Sequence, residues 1–120
     1  MSNNTPFVQI DLTPEYKRNL RELSKKYRKI RLDTQSIIEQ LQGGNFIGDR
    51  LAGMGENYVI LKVRVKNSDI QKGKSAGYRL IYQVESETSI LLLTIYSKSD
   101  REDINANDIL SILAECDRDE

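Results

Sequence analysis

From Leu61 the chain alternates aliphatic and cationic residues, Leu61-Lys62-Val63-Arg64-Val65-Lys66. A period of two predicts a strand with one apolar face and one face carrying three positive charges. A second strand, near 76–84, returns through Gly77-Tyr78-Arg79-Leu80-Ile81-Tyr82, and a third spans about 89–96. The third contains the unbroken run Ile90-Leu91-Leu92-Leu93-Thr94-Ile95, as expected of a central strand covered on both sides. A long basic connection, Asn67 to Ser75, joins the first pair, and a tight turn, Glu85 to Thr88, joins the second.

Upstream, Phe7 to Leu12 alternates as a short first strand. Thr13-Pro14-Glu15 then supplies a hydroxyl cap, a proline whose missing N–H costs nothing, and an acid in the first helical turn. Tyr16, Leu20, Leu23, Tyr27 and Ile30 form one apolar stripe on a basic helix. A second helix is expected near Asp33 as cap, burying Ile37, Ile38 and Leu41 and ending at Gly43-Gly44. Residues 43–57 hold five glycines and read as a loop. Asn105 and Asp108 cap a last helix that buries Ala106, Ile109, Leu110 and Leu113. The pattern predicts an α+β fold: an antiparallel-rich four-stranded sheet, an N-terminal helical hairpin on one face and a C-terminal helix, in the order β-α-α-β-β-β-α.

The 120 residues suit one domain over 1–120, with 1–5 and 116–120 as flexible ends. No apolar run is long enough to span a bilayer and no signal peptide is apparent. With Cys116 as the single cysteine, the expected location is the cytoplasm. Formal net charge is zero, but the charge is segregated. Residues 16–31 carry eight Lys/Arg against Glu22; residues 58–80 carry six against Asp69; residues 100–120 carry eight acids against Arg101 and Arg118. Such segregation bears on partners more than the sum does. The cationic strand face suits a polyanion, with RNA first, although a solvated face that discourages edge pairing has the same pattern.

There is no histidine, which excludes His-based acid–base chemistry. Zinc-ligand spacing and a phosphate-binding Gly-rich loop are also missing from the sequence, so no metal or cofactor is expected. Lysine and arginine remain. They suffice in principle for RNA cleavage, because the ribose 2′-OH is a built-in nucleophile and the phosphorane needs alignment and charge stabilisation.

The element order, with Lys62-Val63-Arg64-Val65 and Gly77-Tyr78-Arg79-Leu80-Ile81-Tyr82-Gln83, resembles the RelE/ParE superfamily of bacterial toxins. Tyr96-Ser97-Lys98-Ser99-Asp100 is most similar to its RelE and HigB-like members. The resemblance runs from about Phe7 to Glu115. It implies the toxin half of a type II toxin–antitoxin module: a ribosome-dependent endonuclease that cuts mRNA in the A site and is neutralised by a cognate antitoxin. By that pattern Lys62, Arg64 and Arg79 line the catalytic face; Lys98 joins them as a candidate catalytic residue, and the cations Lys66, Lys72, Lys74 and Arg101 are candidate RNA contacts from their charge and position. Arg79 would clamp the scissile phosphate with its planar fork.

Arg64 stands where the family has a lysine proposed as base. Arginine, with a pKa of about 12.5 or above, serves poorly there, so Lys62 is the better base candidate. The family's general-acid arginine falls on Ser99, which leaves Lys98 or Arg101 to donate the proton, and its base-stacking aromatic falls on Asn105. Two alternatives stand: a ParE-like protein that binds DNA gyrase, and a non-cleaving relic that binds RNA or antitoxin.

Overall fold

The computed structural model describes residues 7–70 and 77–118. The chain order is β1 (Gln9–Leu12), α1 (Pro14–Lys26), α2 (Ile30–Gln42), β2 (Asp49–Arg50), β3 (Ile60–Val65), β4 (Tyr78–Ser86), β5 (Ser89–Ser97) and α3 (Ala106–Arg118). The sheet has five strands, ordered β1-β5-β4-β3-β2. β1 runs parallel to β5; every other pairing is antiparallel.

The expected four strands become five because residues 43–57 contribute β2, paired as Asp49 with Lys62 and Arg50 with Leu61. Gly48 permits this approach. Its φ is +122°, and a Cβ there would lie 2.7 Å from the Lys62 carbonyl oxygen.

Thr13 caps α1 as read. Its Oγ1 accepts the Tyr16 N–H at 2.9 Å and donates to the Leu93 carbonyl at 2.7 Å, so one buried hydroxyl fastens the helix start to β5. The stripe expected on one helix is divided between two. α1 ends at Lys26 with Tyr27 as C-cap, and Ile30 opens α2.

α2 therefore starts three residues before Asp33, which is not its cap. The helix's own capping residue, Lys29, offers no side-chain cap, and its N–H is bound instead by the Asp69 carboxylate at 3.0 Å. Asp33 in turn accepts from the Ser68 N–H and hydroxyl, at 2.9 and 2.8 Å. Ile37 and Leu41 are buried, whereas Ile38 is half-buried.

The sheet separates two cores. α1 and α2 close one face over Val63, Val65, Tyr78, Leu80, Tyr82, Leu92 and Ile95. On the other, Ile60, Ile81, Leu91, Leu93 and Tyr96 pack with Met54, Ile104, Ile109, Ile112 and Leu113. In α3 the expected Leu110 is exposed and Ile112 takes its place. Asn105 and Asp108 cap each other reciprocally: the Asp108 N–H meets Asn105 Oδ1 at 2.9 Å, and the Asn105 N–H meets Asp108 Oδ2 at 3.4 Å.

β5 is covered on both sides, as its apolar run predicts. It serves both cores through a bulge, because Ile81 pairs with Thr94 while Tyr82 pairs with Leu92. The extra residue shifts the alternation, so that Leu92 and Ile95 face α1 and α2 while Leu93 and Tyr96 face α3.

Candidate functional site

On the α3 side, β3 presents Ile60, Lys62 and Arg64 in succession, and β4 presents Ile81 and Arg79. The Ile60–Ile81 end is roofed by the apolar side of α3. The roof stops at the next residues along, where the charged ones begin. Arg64 lies directly opposite Arg79, and Arg79 directly opposite Tyr96 on β5. Cross-strand partners of this kind have Cα atoms about 4.5–5.5 Å apart. Lys62 sits one pleat repeat from Arg64. The bulge in β5 is what aims Tyr96 onto this same face.

The cations differ in surroundings. Arg79 is 5% exposed and its Nη1 donates to the Tyr78 carbonyl at 3.1 Å, so it forms the floor of the patch and not a projecting arm. Arg64 is exposed, as is Lys66 just beyond the strand. Both also border a hollow of about 390 Å³ between β3 and the Leu32–Ile37 side of α2. Lys62 is half-buried, with Nζ 3.5 Å from Asp103 Oδ1. Lys72 and Lys74 lie outside the described residues.

Lys98 follows β5, its N–H donating to the Gly77 carbonyl at 2.9 Å, and its charge acts on Asp103. Arg101 stacks on the Tyr96 ring, 5.8 Å from the centroid. It also donates to Asp108 Oδ2 and to the Asp103 carbonyl, so the N-terminal turn of α3 already holds its guanidinium. Ser99 shares a hydrogen bond with the Ser97 hydroxyl at 2.9 Å in the turn that leads to Arg101.

Asp103 is the residue that sequence reasoning passed over, seen only as one acid in an acidic run. Its Oδ1 accepts the Ile104 N–H at 2.8 Å. That bond, aided by Lys62 and Lys98, holds its carboxyl below the usual range, so it is an anion at neutral pH. A local signal existed: an acid two residues before a capped helix start often turns back onto backbone N–H groups. Its pairing with Lys62 had no local signal. The Tyr96 hydroxyl is buried, and that burial raises its pKa; Asp103 adds to the rise, while Arg79 and Arg101 oppose it.

Backbone register thus places Lys62, Arg64 and Arg79 on one face of two adjacent strands, with Tyr96 beside Arg79 on the next. Among the described residues no group of three or more His, Cys, Asp or Glu could hold a metal ion.

No protein-family model matches the sequence. The fold matches the solved structure of E. coli toxin RelE, an arginine-to-alanine double mutant in the free state. The TM-score is 0.52 with 18% sequence identity, covering 91% of this chain and 96% of that one. The chain thus has a RelE-like α+β fold. No described helix is long and apolar enough to cross a membrane.

Proposed function

We propose that this protein is the toxin of a type II toxin–antitoxin module, a metal-independent mRNA endonuclease that works on the ribosome and is silenced by a cognate antitoxin. The observation that carries the reading is Arg64 opposite Arg79 on adjacent strands, with Arg79 buried. Two arginines in register across adjacent strands concentrate positive charge on one face, and a phosphodiester has the complementary charge and paired oxygens. The RelE-like fold and the Tyr96-Ser97-Lys98 segment support the same reading.

In this scheme the 2′-oxygen attacks the adjacent phosphorus and the bond to the 5′-oxygen breaks, giving a cyclic phosphate and a free 5′-hydroxyl. Arg79 and Arg64 take the non-bridging oxygens from below and from the side, and their charge is matched to the phosphorane. The 2′-hydroxyl proton passes to water, and Lys62, a cation paired with Asp103, stabilises the negative charge that develops as it leaves. Lys98 is better placed than the engaged Arg101 to protonate the leaving oxygen.

Arg79→Gln is expected to abolish growth arrest on induction while the purified protein keeps its circular-dichroism spectrum and thermal transition. Primer extension on mRNA from cells expressing the wild type should show new 5′ ends within reading frames. Growth arrest without such ends, accompanied by a DNA-damage response, would favour a gyrase-directed toxin. Undiminished toxicity of a folded Arg79→Gln protein would remove Arg79 from the phosphate site.

A further inference from the structure

We infer that Asp103 is a built-in competitor of the RNA phosphate: its carboxylate engages Lys62 in the free protein and has to be displaced before RNA can take that cation. Lys62 Nζ lies 3.5 Å from Asp103 Oδ1, and Lys62 shares the strand face of Arg64 and Arg79. The inference rests on the RNA reading above and adds what the free site holds in place of substrate.

The fold itself puts the carboxylate there. Ile104 is buried in the core beneath α3, and its N–H binds Asp103 Oδ1 at 2.8 Å. Arg101 Nε donates to the Asp103 carbonyl at 3.0 Å, which fixes the backbone of the same residue. Further back in the turn, Lys26 Nζ lies 3.8 Å from Asp100 Oδ1. The acid is thus delivered by an anchored turn, and the Ile104 bond, with Lys62 and Lys98, keeps it ionised.

The contact is nevertheless weak enough to exchange. The Asp103 side chain is 67% exposed and that of Lys62 is 26% exposed. Ion pairs that water reaches contribute little, because screening and side-chain ordering offset the attraction. A phosphodiester that also meets the arginines offers paired oxygens and can draw Lys62 away from a single carboxylate oxygen. A loose strand with few other contacts bears the whole cost of that exchange, whereas a strand anchored elsewhere bears it easily. Asp103 therefore works as a specificity residue that disfavours unanchored single-stranded RNA.

The test measures binding of a fluorescent single-stranded oligonucleotide, 2′-O-methylated so that it cannot be cleaved, to the full-length protein over a series of salt concentrations. Asp103→Asn keeps an oxygen for the Ile104 N–H and removes only the charge. It should bind about threefold to fivefold tighter at low salt, the range of an exposed ion pair. The slope of log Kd against log salt should steepen by about 0.7, because Lys62 then carries a counter-ion for the RNA to release. Glu102→Gln removes one charge from the same turn and should leave the slope as in wild type. In a Lys62→Gln background, Asp103→Asn should have no effect on the slope.

An Asp103→Asn slope equal to wild type overturns the competitor. So does an equal gain from Glu102→Gln, or the same gain when Lys62 is absent. An oligonucleotide bound by neither the wild type nor Asp103→Asn removes the RNA reading and the competitor with it. Steeper, tighter binding by Asp103→Asn, with no mRNA cleavage by the wild type in cells, leaves the competitor standing and removes the nuclease reading instead.

Discussion

Arg64 is exposed and in register with the buried Arg79, so its loss should bear on function and not on stability. On the nuclease reading, Arg64→Gln is expected to change the unfolding free energy by less than about 0.5 kcal/mol, as exposed substitutions do, and to cleave mRNA poorly. A large fall in the urea midpoint would show that Arg64 has a structural partner in the folded chain.

The buried phenols act at the same scale but at alkaline pH. Burial pushes Tyr16 and Tyr82 from 10.0 up to about 12, and raises Tyr78 and Tyr96 as well. A raised folded-state pKa means that the stabilisation is complete below pH 10 and is lost as pH climbs toward about 12, because the unfolded chain releases its protons first. Urea midpoints should hold up to about pH 10 and then drop steeply. The drop should be shallower in Tyr16→Phe, whose lost hydroxyl has no hydrogen-bond partner among the described residues.

Among single residues, alternation put Lys62 and Arg64 on one face of a strand, and the resemblance carried by the Gly77–Tyr82 run singled out Arg79, which the register sets opposite Arg64. Asp103 escaped because its significance comes from a lysine 41 positions away.

At the level of elements, local signals were sufficient wherever the cap is local. Thr13 for α1 and the Asn105–Asp108 pair for α3 are both visible in four consecutive residues. α2 was misread because its capping acid, Asp69, arrives 40 residues later, while Asp33, the plausible local cap, serves Ser68. β2 was hidden because two residues cannot show a period, and its existence depends on β3 already being in place. Gly48 is its hinge. Gly48→Ala would set a methyl against the Lys62 carbonyl in a conformation that L-residues rarely adopt. It should cost about 2 kcal/mol in denaturant unfolding and speed hydrogen exchange at Leu51, whose N–H bonds the Ile60 carbonyl. A neutral effect would mean that β2 tolerates displacement without loss.

Over the whole molecule, a zero net charge conceals a basic face with a carboxylate from the acidic C-terminal region set into it. The Lys62–Asp103 and Lys26–Asp100 contacts draw the turn after β5 toward the cations. The predicted fold class and the helical hairpin on one face were readable because each apolar face had the period of its element. The division of β5 between two cores was not, since a bulge leaves no mark in a continuous apolar run.

That partition by the sheet has a mechanical corollary. One side is sealed by two helices and a tyrosine-rich interior; the other depends on one helix seated by Ile109, Ile112 and Leu113. Small openings should therefore begin on the thinner side, with α3 lifting away while the five strands stay paired. Native-state exchange should show α3 amides opening well before those of β4 and β5, and a protease should nick the 98–105 turn first. Simultaneous exchange of both regions would mean that the two sides open as one. A helix that detaches without unravelling the rest is an easy place for another protein to take hold.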